Sequence, residues 1–486
     1  MDALGALKNL EAEACGKSFD QLHAQAKSDW ERELSIFTIE GPRDAKSVFY
    51  TSLYHALIHP SLYMDVDGRY RGIDHNIHQA EGFTNYTIFS FWDTFRALHP
   101  LMNFIRPEMS RHFVASMLAH YQQSVHKALP IWSHKGNENW CMIGYHGVSV
   151  LADAWAKGVL FANDSPKGTP FVGRFPPELL LEAMVNSAQI PYYDGSVEYA
   201  QLGYVPLEVT GNAASVTLEN AYDDWCIYKF AQSIGNQEIA DVFQKRAQSY
   251  RNIFDPLSGF ARPRYRDGRW KENFDLLDTH GQGFIEGNSW NYSFFVPHDV
   301  PGLIEVMGGK AVFERRLDSL FTMHLPDEYF ENTEDITREG LMGNYVHGNE
   351  PSHHVPYLYA WTDHPQKAQP RIRAIMDQMY QNKIDGLCGN DDCGQMSAWY
   401  IFSAMGFYPV CPGSDQYVIG APYFPKMTLR LENGRELTII ARNISAKNIY
   451  IQSVTWNGKA IKGNFLSHAE LIEGGTLEFV MSARSK

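Results

Sequence analysis

Some stretches of the chain gather residues able to do acid–base or ligand-holding chemistry. In DGLCGNDDCGQMSAWY, Asp385 to Tyr400, the adjacent carboxylates Asp391 and Asp392 lie between Gly389 and Gly394, just before an aromatic, helix-favouring run. Glycines on both sides permit positive φ and close backbone approach, and neighbouring side chains diverge, so one carboxylate can face a substrate while the other anchors the loop. Either aspartate could equally cap the helix that follows, as Asp routinely does. In NYTIFSFWDTFRALHP, Asn85 to Pro100, Ser90 can cap a helix whose first turns carry Trp92, Asp93 and Arg96. Three-residue spacing sets Asp93 and Arg96 on one face, as an intrahelical ion pair or, beside Trp92, as a charged fork for hydroxyls on an aromatic sugar platform. In HGNEPSHH, His347 to His354, the histidines and Glu350 could read as a metal cluster, but Pro351 interrupts the helical register that a zincin-like set requires. GNENWCMIGYHG (Gly136 to Gly147) and EGNSWNY (Glu286 to Tyr292) are further polar loops that a plain helical bundle does not need.

The elements that must position these loops read as amphipathic helices separated by Gly- and Pro-bearing connections, without alternating βαβ units. The spacing predicts helices over Met109 to Val125, Gly147 to Lys157, Pro177 to Ser187, Ala214 to Ile234, Gln237 to Asn252, Ala311 to Met323, Arg371 to Tyr380 and Gly394 to Met405. Functional residues on loops between many helices suggest a toroid of helical hairpins. The first forty residues carry apolar positions at helical spacing, as helices lying on a larger body. DVDGRYRGIDHN, Asp65 to Asn76, reads as a plain hairpin or loop. After Tyr408 the chain turns to β-hairpin grammar, with MTLRL, LTIIA, IYIQSVTW and TLEFVMS around tight turns in ENGRE and WNGK. The expected organisation is mainly α: leading helices and linker over 1–40, a helical barrel over 41–410 and a small β-sandwich or β-rich subdomain over 411–486.

With 486 residues the chain exceeds an ordinary single core, so a large helical toroid or several domains are expected. Its 11 Trp, 26 Tyr and 28 Phe exceed ordinary aromatic usage, and sugar stacking is one reason for such usage beside core packing. A net charge of −14 disfavours nucleic acid or an anionic membrane as partner. The six cysteines form no CxxC pair, so neither a zinc ribbon nor a disulfide scaffold is indicated. The N-terminus lacks the pattern of a signal peptide, and no run of about eighteen apolar residues could span a bilayer, so the chain reads as soluble.

Together the motifs SFWDTFRALHP, GYHGVSVLADAWAKG, GYVP, VTLENAYDDW, EGNSWNYSFFVPHD, HGNEPSHHVPYLYAW and the DGLCGNDDCGQ stretch resemble, in this order, the glycoside hydrolase family 92 α-mannosidases. The resemblance runs from near residue 1 to near residue 480. It implies an (α/α)6 barrel with β-rich accessory structure, calcium dependence, and exo-cleavage of α-mannosides with inversion. It further implies Glu286 as general acid and Asp392 as general base, with Asn390 standing where some relatives carry another carboxylate. Asp93 and Arg96 would hold the nonreducing mannose beside Trp92, and Asn349 and Glu350 would be calcium ligands. Phe330 to Asp335, with Glu331, aligns with the leaving-group subsite. There Phe330 stands where linkage-specific relatives can carry His, which bears on the expected α-1,2 specificity. Inversion requires acid and base carboxyls roughly 6.5 to 9.5 Å apart. The acid's pKa must be raised, for which Trp290 and Tyr292 are the expected neighbours, while Asp392 stays ionised near the cation. Family members usually begin with a β-sandwich domain ahead of this region, so the chain is expected to be the portion after it, from a secreted or periplasmic enzyme. The rival reading is a mannan-binding protein without turnover; a toroidal glycosidase for another sugar is a third.

Overall fold

The computed structural model describes residues 2–161, 175–329 and 338–485. From Arg43 onward its longer helices fall into two kinds. Every residue of Leu98–Ile105 and of Gln395–Met405 is buried, and Gly147–Ala156 and Ala213–Ser233 are buried over most of their length. Arg43–Ala56, Pro107–Gln123, Pro177–Ser187, Gln237–Arg246, Lys310–Thr322 and Ala368–Met379 keep exposed positions beside their buried ones. A helix apolar all round must sit inside and a one-faced helix outside, so the alternation is that of an (α/α)6 toroid with inner and outer rings. Gln395–Met405 packs on Arg43–Ala56, and Ala213–Ser233 on both Gln237–Arg246 and Gly147–Ala156.

The predicted helices are present with ends shifted by a few residues; Gln237 to Asn252 divides into Gln237–Arg246 and a 3₁₀ turn, Ser249–Ile253. One prediction needs correction. The helix expected to run on from Ser90 is broken into Phe91–Thr94 and Leu98–Ile105, with Arg96 in the break. The N–H groups of Ala97 and Leu98, left without helical partners, donate to Gln395 Oε1 at 2.9 and 3.1 Å. Pro100 is tolerated because it falls in the first turn of the second piece, where its missing N–H costs nothing.

The β-rich part holds a six-stranded sheet in the order Phe37–Glu40, Lys426–Arg430, Glu436–Arg442, Gly475–Ser482, Tyr450–Trp456, Lys459–Ala460. All neighbours are antiparallel except Glu436–Arg442 with Gly475–Ser482. A three-stranded sheet pairs Phe407–Tyr408, Gln416–Ile419 and Phe465–Ser467. Both expected tight turns are there: ENGRE joins two sheet strands with Gly434 at φ 81°, and WNGK closes a hairpin with Asn457 at 48° and Gly458 at 78°. Asp65 to Asn76 carries the first strand of a hairpin, Arg69–Arg71 paired with Ile77–Gln79. The edge strand Phe37–Glu40 comes from the leading segment, which ties the chain's start to the C-terminal sheet.

A buried ionic knot joins toroid and sheet region. The fully buried Asp153 accepts from Asn103 Nδ2 and Lys157 Nζ, each at 2.8 Å, and from the Gly413 N–H at 2.9 Å. Asp153→Ala strands the Lys157 ammonium in the interior, a loss of about 3 kcal/mol or more. The variant should unfold at a clearly lower temperature by circular dichroism, and adding Lys157→Met should recover part of the loss. Melting of Asp153→Ala within about a degree of the parent would contradict this role.

Candidate active site

Two loops meet backbone to backbone at the centre of the site. A Cβ on Gly389 would lie 2.8 Å from Gly348 O, so only glycine lets the Asp392 loop lie against the Asn349–Glu350 segment. Beyond it, Asp392, Cys393 and Gly394 are successively left-handed, at φ 43°, 58° and 93°. A Cβ on Gly394 would sit 2.8 Å from Ala56 Cα, which seats this turn on the Arg43–Ala56 helix. Asp391 anchors the loop, its Oδ1 accepting the Ser397 N–H at 2.9 Å in the first turn of Gln395–Met405, while His55 Nδ1 lies 3.6 Å from Oδ2. The paired aspartates thus divide, and Asp392 turns elsewhere.

Asp392 turns to Asp93 and Glu350. One carboxylate oxygen from each of the three lies within 4.8 Å of the others. Asp93 and Glu350 are each 2% exposed. Burial, and then the Asp392 charge, pushes the Asp93 carboxyl well above the usual carboxylate range. Burial, Asp93 and Asp392 do the same to Glu350. Ser90 donates its hydroxyl to Asp93, so it serves this carboxylate and not the helix end. Glu350 Oε1 and Asn349 Oδ1 are buried without a hydrogen-bond partner among the described residues. Oxygen atoms that are crowded, buried and unsatisfied are a donor set suited to a hard cation.

Glu286 is tied to this set by one side chain. Asn349 Nδ2 donates to Glu286 O at 2.8 Å and to Glu286 Oε2 at 3.2 Å. Glu286 is left-handed at φ 47° and immediately precedes a tightly capped turn, where Asn288 and Asn291 exchange side-chain and backbone hydrogen bonds. Left-handed backbone at non-glycine residues costs about 1–3 kcal/mol each and collects at functional positions. Glu286 and Asp392 both carry it.

Arg96 does not pair with Asp93; its ion-pair partner is Glu219, at 3.5 Å. The guanidinium packs over Trp92, Phe95 and Phe295 at 4.6–5.0 Å, and its Nη1 is buried without a hydrogen-bond partner among the described residues. Glu219, fully buried, also accepts from Trp92 Nε1 at 3.2 Å, from His146 Nε2 at 2.7 Å and from the Tyr292 hydroxyl. One carboxylate therefore fixes the Trp92/Arg96 segment and the loop of Glu286 against each other. Tyr292, expected to act on Glu286, gives its hydroxyl to Glu219. His146 Nδ1 reaches Asp223 at 2.9 Å, and although burial opposes its charge, Asp223 and Glu219 raise its pKa to about 9. Glu219 stays below the usual range despite burial, because His146 and Arg96 hold it ionised.

Sequence reading named Trp92, Asp93, Arg96, Glu286, Asn349, Glu350 and Asp392, and the fold brings all of them to this locality. Glu331 and Phe330 lie outside the described residues. The histidine-rich metal reading of HGNEPSHH fails. His347 lies between the Tyr345 and Tyr380 hydroxyls, His353 donates to His347 O and accepts from Gln395, and His354 donates to Phe294 O. Burial lowers their pKa values, that of His353 to about 3 and His354 to about 4, so they are neutral wall residues. Glu219 and His146 were missed. Their signal was carboxylates at positions 219 and 223, four residues apart in an otherwise buried helix.

Residues 5–483 match the glycosyl hydrolase family 92 catalytic domain. The chain belongs to that family. A family 92 α-mannosidase from Bacteroides thetaiotaomicron is 44% identical over 100% of the chain and 62% of its own, with a TM-score of 0.92. The same enzyme in complex with mannoimidazole superimposes at 0.94. An inverting family 92 mannosidase from Bacteroides thetaiotaomicron is 36% identical over 100% of the chain and 66% of its own, at 0.89. An uncharacterised secreted glycosidase from Arthroderma benhamiae is 25% identical over 98% of the chain and 59% of its own length. The chain thus spans between 59% and 66% of these relatives. No described helix is long and apolar enough to cross a membrane.

The raised pKa of His146 has a signed consequence. Its contribution to stability is fully present below its ordinary pKa near 6.5 and is lost as pH rises through about 9. His146→Gln should therefore melt furthest below the parent near pH 6, with the gap narrowing toward about pH 9.5. A gap independent of pH would contradict a protonated His146.

Proposed function

We propose that the protein is an exo-acting, inverting, calcium-dependent α-mannosidase that removes terminal α-linked mannose from glycans, with α-1,2 as the expected linkage. The observation that carries this reading is Asn349, whose amide joins Glu286 to the segment of Glu350, beside the carboxylate cluster that includes Asp392. A separate acid and base on opposite walls are what single-displacement glycoside hydrolysis needs, and a pure binding module has no use for them. The Bacteroides relatives, an α-mannosidase and an inverting mannosidase, support the sugar and the stereochemistry, and the secreted fungal relative supports action outside the cytoplasm.

In this mechanism the Glu286 carboxyl gives its proton to the glycosidic oxygen as the bond to the anomeric carbon breaks. Asp392 takes a proton from the water that attacks that carbon from the opposite face, and the product leaves with inverted configuration. Arg96, with its unengaged Nη1, and Asp93 offer a donor and an acceptor to mannose hydroxyls, and Glu219 keeps Arg96 and Trp92 in register. Glu350, Asp93 and the Asn349 carbonyl would hold calcium. When bound it supplies the positive charge that keeps these carboxylates ionised, and coordination for vicinal hydroxyls.

Mannose release from α-linked mannobiose, followed by proton NMR, should give β-mannose as the first product. Asp392→Asn should lower kcat by roughly 10³-fold or more. A mild loss would remove Asp392 from the role of base, and α-mannose as first product would overturn inversion. Tight sugar binding without any turnover would favour a silent mannan-binding protein.

A further inference from the structure

An aromatic corner stands beside the site and has no part in the chemistry above. Trp140 has His126 at 5.1 Å between ring centroids, Tyr193 at 5.5 Å and Tyr192 at 6.2 Å. The Tyr192 ring stands at 75° to Trp140 and the residue is 62% exposed, while Trp140 is half-buried. The corner is built, not draped. The Glu138 carboxylate accepts the backbone N–H groups of Ile131, Trp132 and Trp140 at 2.7–3.2 Å. Tyr193 donates to Met142 O at 2.5 Å, and the Tyr192 hydroxyl is hydrogen-bonded to His126 Nδ1. Trp140 and Met142 are both left-handed, at φ 55° and 66°, a conformation that a loop without a task would give to glycine.

This loop runs directly into the site. Ile143 shares a buried apolar cluster with Trp92, against which Met142 and Ile285, the neighbour of Glu286, also pack. Between Met142 and Trp140 lies Cys141, whose thiol is pushed up by burial and by the nearby charges of Asp93 and Glu286. A leaving group protonated by Glu286 must extend past Glu286, and the wall on the Cys141 side carries the aromatic corner. Large rings set at steep angles offer apolar faces to a hexose, while the exposed Asn139 serves its rim.

We propose that Trp140 and Tyr192 form a subsite for sugar units beyond the scissile bond, which makes them determinants of preference for oligosaccharides over small mannosides. The proposal rests on the mannosidase reading. Its test compares an α-linked mannotriose with α-mannosyl fluoride, whose leaving group is a single atom and occupies no such subsite. Trp140→Ala should lower kcat/KM for mannotriose about tenfold, chiefly through KM, and change hydrolysis of the fluoride far less. Tyr192→Ala, at an exposed position that folding tolerates, should act in the same direction. Equal losses on both sugars, or unchanged KM for mannotriose in both variants, would overturn the subsite. If the parent protein turns over neither sugar, the mannosidase reading fails by itself. Titration calorimetry with mannotriose then decides the subsite: weaker binding to Trp140→Ala than to the parent supports it, and equal or absent binding overturns it.

Discussion

The structure depends on a charge repulsion that Ser90 and Arg96 offset only in part. Asp93, Glu350 and Asp392 bring oxygens within 4.8 Å of one another, two of these residues almost wholly buried. At an effective dielectric near 20, each ionised pair at that distance costs roughly 3 kcal/mol, before desolvation is counted. The segment that supplies Glu350 also leaves Asn349 Oδ1 and Glu350 Oε1 without hydrogen-bond partners among the described residues. Protons or a cation must answer that charge, and the chain holds the set together through glycine-to-glycine contact, left-handed turns and the Asp391 anchor. A fold that needed only stability would separate these groups.

A second ionic set, behind the first, is balanced internally. Glu219 and Asp223 are met by His146 and Arg96, and the result is a neutralised buried network whose hydrogen bonds reach Trp92 and Tyr292. The two sets have different purposes. The balanced one locks the geometry of the segments bearing Arg96 and Glu286, and the unbalanced one faces the site. Arg96 belongs to both, paired with Glu219 on one nitrogen and unengaged on another.

Much of this was legible in the sequence because it was local. Helical spacing gave most of the outer helices to within a few residues but not Arg43–Ala56, and NG turns gave the hairpins. Gly389 and Gly394 around the paired aspartates marked a loop that needs close approach, and the division of labour between Asp391 and Asp392 follows from adjacent side chains diverging. What was not legible depended on distant partners. The break at Ala97 exists because Gln395, nearly three hundred residues on, accepts its N–H. Arg96 pairs with Glu219 and not with its helical neighbour for the same reason. The partners that make the histidines of HGNEPSHH neutral wall residues are likewise distant, Tyr380 for His347 and Phe294 for His354, and the strand Phe37–Glu40 is too short to read without the sheet it joins.

The central claim is that Asp93, Glu350 and the Asn349 side-chain carbonyl, beside the base Asp392, form a calcium site. Thermal unfolding of thoroughly chelated protein, titrated with calcium, tests it most directly. The account predicts a melting temperature that rises with calcium concentration in the parent and stays flat in Glu350→Gln. A parent whose melting temperature ignores calcium, or a Glu350→Gln variant that responds as the parent does, would contradict it.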